Sequence, residues 1–271
     1  MPQRTAPFTL EQVGTGTARF PSSGPIPTAS DASVDPYILT RTLKSSHVEA
    51  LMFWPQTKGL YPGIVILHES WGLNEQIKNL ANRLACEGYA VIVPNLYTRQ
   101  GGMVTANAEA AGLLMARAKE ADLLQDINQS CEFLNTRDYV KRNIHGVIGF
   151  GMGGTLAIKF MNQRKRLRTA VSFYGTLHPP FDFLNNLHSP LLYHWAGADE
   201  SVTPANIEQF RQAAQEQGKR VTIHHYDGAP PAFCNETHKE TYRADATQTA
   251  WDRTMEFLAE SFKADLQPPA K

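Results

Sequence analysis

The chain has 271 residues, 42% of them hydrophobic, and its 26 Lys and Arg side chains balance its 26 Asp and Glu side chains. This length fits one α/β domain of ordinary size or two small ones, and the zero net charge argues against nucleic acid or an anionic membrane as a partner. No run of about 18 apolar residues occurs, and the N-terminal residues lack the apolar core of a signal peptide, so no transmembrane helix or secretion signal is expected. A cytoplasmic location is therefore predicted.

Three regions are predicted along the chain. Residues 1–40 are rich in Ser, Thr, Pro, Gly and Ala, and they are predicted to form an N-terminal extension that is partly ordered at best. Residues 41–265 are predicted to form a single α/β domain, and residues 266–271 a short tail.

Strand and helix patterns alternate through the predicted domain. Short apolar runs predict strands at 48–54, 63–68, 90–94, 147–150, 170–174, 190–195 and 221–226. Apolar residues at helical spacing predict helices at 77–85, 106–135, 155–161, 205–216 and 244–262. This alternation predicts a mostly parallel sheet with helices on both faces, in which ligands bind beyond the carboxyl ends of the strands.

The three cysteines are widely spaced and form no Cys-x-x-Cys pair. Neither a disulfide framework nor a zinc site is expected, and no metal or other cofactor is predicted. Cys86 and Cys131 fall inside helical patterns and are predicted to be buried free thiols. Cys234 is predicted to be a plain loop thiol, which would become reactive only if a neighbouring cation lowered its pKa.

The segment from Gly146 to Gly154 indicates a buried strand that runs into a tight glycine turn and then a helix. This is the layout of a nucleophile elbow, G-x-(Ser/Cys)-x-G, in which the middle residue carries the attacking atom. The middle residue here is Gly151, which has no side chain.

Several ordered blocks accompany this turn, at residues 68–74, 88–90, 94–99, 197–204, 226–233, 235–237 and 250–254. Together with the turn, they resemble the dienelactone hydrolases (carboxymethylenebutenolidases) of the α/β-hydrolase superfamily over about residues 46–265. The resemblance implies an α/β-hydrolase fold and a pocket for a small ester, lactone or carboxylate, but a fold alone does not fix an activity.

The resemblance also implies which positions hold the catalytic triad. The family has Cys or Ser at the elbow, an acid in a Gly-x-x-Asp-x-x-Val-x-Pro block and a histidine in a Gly-Ala-x-His-x-Phe block. The acid matches as Asp199, whereas the nucleophile position is Gly151 and the histidine position is Pro231. Loss of a triad nucleophile or base costs roughly 10⁶-fold in turnover, so ordinary triad hydrolysis is not expected.

By the same resemblance, the backbone N–H groups of Ser70 and Met152 form an oxyanion hole, and the helix that starts near Met152 adds its positive end. Glu69 matches a carboxylate that lies against the nucleophile in the family. With the nucleophile absent, Glu69 is interpreted either as a general base or as a structural acid.

Four further residues are predicted to bind the ligand. Arg99 matches a basic residue that contacts a substrate carboxylate in some family members, which suits a planar guanidinium. Tyr97 and Trp71 are predicted to line the pocket. His238 lies seven residues beyond Pro231 and is predicted to fold back toward the site.

Two functional interpretations follow. The first is a non-hydrolytic binding or regulatory pseudoenzyme that holds a small ester, lactone or carboxylate. The second is a hydrolase, isomerase or cyclase that acts on small lactones or esters by an altered mechanism through Glu69, Ser70 or His238, without a covalent nucleophile. A purely structural role has little support in the sequence.

The same turn satisfies a dinucleotide-binding pattern, G-x-G-x-x-G, at Gly149, Gly151 and Gly154. That fingerprint belongs to the first strand of its fold, whereas at least three strands are predicted before this one. No acidic residue ends the next predicted strand, so nucleotide binding is the weaker interpretation.

Overall fold

A computed structural model describes residues 5–24 and 47–266, which form an eight-stranded sheet flanked by helices. The strands are β1 Val13–Pro21, β2 His47–Pro55, β3 Tyr61–Leu67, β4 Ala90–Pro94, β5 Val140–Phe150, β6 Thr169–Phe173, β7 Leu191–Ala196 and β8 Val221–Tyr226. Their order is β1-β2-β4-β3-β5-β6-β7-β8. Strand β2 pairs antiparallel with both β1 and β4, and every other neighbouring pair is parallel. The predicted α/β class with a mostly parallel sheet is confirmed.

The helices cover both faces of this sheet. They are α1 Glu75–Cys86, α2 Ala108–Arg117, α3 Glu120–Asn135, α4 Met152–Gln163, α5 Pro204–Glu216 and α6 Ala244–Ser261. Side chains of α3, α4 and α5 belong to one apolar cluster and those of α1 and α6 to another. Because β3 and β4 lie between the two clusters, every residue in them is buried, which is why their sequences read as continuous apolar runs.

The first predicted boundary is wrong, because Val13–Pro21 belongs to the sheet and not to an extension outside it. Strand β1 pairs with β2 in continuous register from Val13 opposite Pro55 to Pro21 opposite His47. Its two inner glycines make room for an indole: a Cβ on Gly14 would lie 2.8 Å from Cε2 of Trp54. These glycines are required for packing, but in a prediction from composition they favoured an extension over a strand. Residues 1–4 and 25–40 of the predicted extension and residues 267–271 of the predicted tail lie outside the described residues.

The predicted helix at 106–135 is two helices. The backbone is extended at Ala118 and Lys119, with ψ of 120° and 121°, so α2 ends before them and α3 begins after them. Neither residue is Gly or Pro, so the sequence carried no breaker signal at this point.

The predicted free thiols are confirmed, since Cys86, Cys131 and Cys234 are all unpaired and buried. Over the ranges 5–24 and 47–266, no helix combines the length and apolarity needed to cross a bilayer.

Candidate functional site

The turn between β5 and α4 has the geometry that its sequence predicts. Gly151 lies between the two elements with φ of 51° and ψ of −115°, a conformation that favours glycine. Its N–H donates to the Phe173 carbonyl at 2.9 Å, and its carbonyl accepts from the Thr155 N–H at 3.0 Å. The chain therefore turns sharply at the carboxyl edge of the sheet and enters the helix at once.

The neighbouring glycines are required by close packing, whereas Gly151 is not. A Cβ on Gly149 would lie 1.9 Å from the Gly153 carbonyl oxygen, and one on Gly153 would lie 2.3 Å from the Leu67 carbonyl oxygen. A Cβ on Gly151 would meet nothing nearer than Cγ of Glu69 at 3.8 Å. The turn thus keeps room for a side chain at the position where this chain has none.

Glu69 lies next to this gap and is the buried acid of the site. Its carboxylate accepts from the Tyr174 hydroxyl at 2.8 Å and from Nδ2 of Asn235 at 2.6 Å. Burial raises the pKa of Glu69, and the two hydrogen bonds act in the opposite direction. No Lys or Arg of the described residues forms an ion pair with it. Two neutral donors therefore hold this carboxylate in place without a compensating cation.

Tyr174 and Asn235 are site residues that the sequence interpretation missed. Tyr174 follows β6 directly and has a positive φ of 40°, which is uncommon for a residue with a side chain. Burial and the Glu69 charge raise the pKa of Tyr174, so its phenol stays protonated and donates. The available signals were the position of Tyr174 at a strand end and that of Asn235 in the 235–237 block.

Ser70, Tyr97 and Met152 meet at the start of α4. The Tyr97 hydroxyl donates to the Ser70 carbonyl at 3.1 Å and lies 3.5 Å from Sδ of Met152. Met152 is the first residue of a 12-residue helix, and the first N–H groups of a helix have no partner within it. Ser70 and Met152 therefore both contact the Tyr97 hydroxyl. The oxyanion hole that their N–H groups would form stays a prediction.

His68 fixes the loop that carries these groups. Its Nε2 accepts from the Leu96 N–H at 3.0 Å, so its Nδ1–H donates to the Glu69 carbonyl at 2.6 Å. Burial lowers the pKa of His68 to about 4, which keeps the ring neutral. The ring therefore joins the loop after β3 to the loop after β4.

His238 approaches the site through Trp71 and not through Glu69. The rings of Trp71 and His238 lie 4.1 Å apart with an interplanar angle of 31°. The backbone N–H of His238 donates to the Asn235 carbonyl at 3.0 Å, so His238 belongs to the same turn as the amide that donates to Glu69. A ligand-binding role for Trp71 and His238 stays a prediction.

The loops after β7 and β8 are adjacent, and they carry Asp199 and Pro231, respectively. Asp199 accepts from the N–H and the hydroxyl of Ser201, at 2.8 and 2.6 Å, and so closes a local turn. The Ala198 N–H donates to the Ala229 carbonyl at 3.0 Å, which joins the two loops. Pro231 is exposed on the second loop.

Arg99 is engaged by a carboxylate of the protein itself. Its two terminal nitrogens donate to the two oxygens of Asp126, with 2.9 Å between Nη2 and Oδ1, and its Nε lies 3.9 Å from Asp122. The Asp126 side chain is 1% exposed, so this fork ties the loop after β4 to α3. Contact between Arg99 and a ligand carboxylate stays a prediction.

The described residues give no support to a reactive thiol. Burial raises the pKa of the Cys234 thiol well above its ordinary value, which disfavours the thiolate. The described part of the chain also holds no cluster of three His, Cys, Asp or Glu side chains that could bind a metal ion.

Comparison with known proteins agrees with this geometry. Residues 48–262 match the model of the dienelactone hydrolase family. An inferred carboxymethylenebutenolidase of Escherichia coli K12 is 26% identical over 268 residues, covering 92% of this chain and 96% of that protein. One of Methylorubrum extorquens is 26% identical over 222 residues, covering 78% and 76%.

A solved structure shows the same fold. The crystal structure of an inferred dienelactone hydrolase from Klebsiella pneumoniae superposes with a TM-score of 0.75 at 22% identity, over 91% of this chain and 99% of that one. At this identity the likeness shows the fold alone.

Proposed function

The chain belongs to the dienelactone hydrolase family, and we propose that it is a pseudoenzyme that binds a small ester, lactone or carboxylate without cleaving it. The observation that carries this proposal is Gly151. The turn keeps the glycines that its packing requires and keeps room for a side chain, but it has no attacking atom.

The other triad positions support the same conclusion. Pro231 offers no proton acceptor where the family has histidine, and it is exposed. Asp199 is engaged by Ser201 and closes a turn. A hydrolase that lacks both nucleophile and base retains only the acceleration from binding and from the oxyanion hole.

The surviving groups favour a carbonyl or carboxylate ligand. The uncompensated N–H groups at the start of α4 carry the positive end of the helix, which attracts a carbonyl oxygen or an anion. Tyr97 holds the Ser70 carbonyl, so the predicted second donor of the hole is positioned by a buried hydroxyl. Orientation and hydrogen bonding of this kind require no covalent step.

Restoration of the missing groups tests this proposal. Turnover of p-nitrophenyl acetate and of a dienelactone is measured for the parent and for Gly151→Cys/Pro231→His, with Gly151→Ala/Pro231→His as the control that lacks a nucleophile. We expect background rates for the parent and the control and a measurable gain for the cysteine variant. Binding of the intact lactone to the parent, followed by ligand-observed NMR, tests the binding role directly.

Two results would contradict the proposal. Ordinary turnover by the parent, on the order of 10 s⁻¹, means that another group performs the chemistry. Absence of lactone, ester and carboxylate binding by the folded parent means that the site is not a binding site for this ligand class.

The geometry of Glu69 supports a second candidate, an enzyme of altered mechanism. A buried carboxylate with a raised pKa, beside a gap where a nucleophile is missing, can serve as a general base toward water or toward an acidic carbon. A pH–rate profile with one essential group that disappears in Glu69→Gln favours this candidate, and a flat profile at the background rate excludes it.

A further inference from the structure

A cavity of about 440 Å³ lies between the loop after β4, the end of α2 and the start of α3. Its apolar lining comes from Leu96, Leu114 and Leu123, which are buried, and from Met103, which is 53% exposed at the rim. Glu69, Ser70, Gly151 and Met152 do not line it, whereas Arg99 does. Its size falls within the range of small-molecule sites.

Two cationic side chains line this cavity. Arg117 and Lys119 are both exposed, and neither side chain forms a hydrogen bond or ion pair within residues 5–24 and 47–266. The acid that lines the cavity, Asp122, lies 3.9 Å from Nε of Arg99, whose two terminal nitrogens hold Asp126. The charged residues that line the cavity are therefore three cations, Arg99, Arg117 and Lys119, and one carboxylate, Asp122.

Lys119 breaks a local rule of helix formation. It is the N-cap of the 16-residue α3, a position that favours Ser, Thr, Asp or Asn, and its side chain makes no capping bond. A cation is also unfavourable beside the positive end of a helix. The first acid of α3, Glu120, is held at 2.5 Å by Lys159 and does not pair with Lys119. Breaks of this kind tend to mark functional positions.

We propose that this cavity is a second ligand site, which binds an amphipathic monocarboxylate. The apolar body of the ligand lies against Leu114, Leu123 and Met103, and its carboxylate pairs with Arg117 and Lys119. A carboxylate there offsets the positive charge of Arg117 and Lys119, while the leucines remove the apolar chain from water.

Hydrogen bonds connect the lining of this cavity to the residues near the elbow. Leu96 lines the cavity, its N–H donates to His68, and the next residue, Tyr97, donates to the Ser70 carbonyl. The cavity and the predicted oxyanion hole therefore share one short loop, although the proposed second site does not depend on the proposed function of the first.

Sodium octanoate is the probe for this site, with the full chain labelled at its methionine methyl groups for NMR and with calorimetry for affinity. Met103 reports on the cavity, and Met152, beside Tyr97, reports on the elbow. We expect saturable binding of octanoate that shifts the Met103 signal, and binding at this site at least tenfold weaker in Arg117→Gln/Lys119→Gln. Lys165→Gln/Arg220→Gln removes the same charge from exposed positions elsewhere and should leave the affinity unchanged.

Each alternative outcome overturns the proposal. A shift confined to Met152 means that octanoate binds at the elbow. Equal affinity in the Arg117→Gln/Lys119→Gln variant means that the two cations do not recognise it. Absence of octanoate binding, with association to phosphatidylglycerol vesicles instead, means that the exposed apolar rim is a membrane contact.

Discussion

The Tyr174 hydroxyl donates a buried hydrogen bond of 2.8 Å to the Glu69 carboxylate, which lies beside Gly151. Asn235 donates to the second carboxylate oxygen at 2.6 Å, so both oxygens are fixed. A buried carboxylate without a cation is costly, and it is retained only where donors surround it. Glu69 is therefore the group in the candidate site whose state depends most on its neighbours.

Removal of the phenol in Tyr174→Phe should raise the pKa of Glu69 further, because a hydrogen bond to the charged form is lost. The unmet acceptor should also lower the free energy of unfolding by about 1–3 kcal/mol. A carboxyl ¹³C NMR titration of Glu69 and urea denaturation measure the two effects. Tyr97→Phe is the control, since its hydroxyl contacts Ser70 and Met152 and should leave the Glu69 titration in place.

Gly151→Ala should destabilise the protein by about 1–2 kcal/mol, although a methyl group fits, because the cost comes from the positive φ. Gly112→Ala, inside α2 with open space around its Cβ, should instead stabilise by about 0.5–1 kcal/mol. Urea denaturation of both variants measures these opposite signs. Equal effects at the two positions would show that backbone strain at Gly151 is not the cause.

Arg99→Gln should destabilise the fold by roughly 3 kcal/mol, because it leaves the buried Asp126 carboxylate without its ion pair. The loss should shrink in Arg99→Gln/Asp126→Asn, where no buried charge remains. A double-mutant cycle by urea denaturation measures the coupling between the two side chains. Additive losses would contradict the structural role of this pair.

The free energy of unfolding should fall on acidification from about pH 6.5 toward pH 4. Burial lowers the pKa of His68 and His145 to about 4 and that of His194 well below its ordinary value. The unfolded chain therefore binds more protons than the folded chain as the pH falls, which favours unfolding. Their full contribution to the free energy of unfolding is present above about pH 6.5, the pKa of histidine in the unfolded chain. About 3 kcal/mol is lost for each of His68 and His145 as the pH falls to its pKa in the folded chain. The raised pKa values of Glu69 and Asp126 act with the opposite sign.

His145→Gln isolates one of these contributions. Its pH dependence between about 6.5 and 4 should be shallower than that of the parent by up to about 1.4 kcal/mol per pH unit, because one titrating ring is gone. Chemical denaturation at several pH values measures the slope, and measurements above pH 7.5 are the internal control. An unchanged acidic slope would mean that His145 is protonated equally in both states.

Most elements of the fold were predictable from sequence, including the edge strand β8, but strand β1 and the break between α2 and α3 were not. The apolar runs of β3 and β4 had to be strands covered on both faces, and the glycine turn at 149–154 had to join a strand to a helix. Strand β1 was missed because its glycines serve the Trp54 ring and give no alternating pattern. The break at Ala118 and Lys119 was missed because neither residue disfavours a helix strongly enough to signal one.

The sequence by itself determined that position 151 has no side chain and that position 231 has no imidazole, because these are matters of residue identity. Only the tertiary structure decided what the site contains. Glu69 meets Tyr174 and Asn235 across 105 and 166 residues of chain, and Arg99 meets Asp126 across 27. Local patterns report on neighbours within a turn or a strand, whereas these contacts depend on the order of the strands and on which helix covers which face.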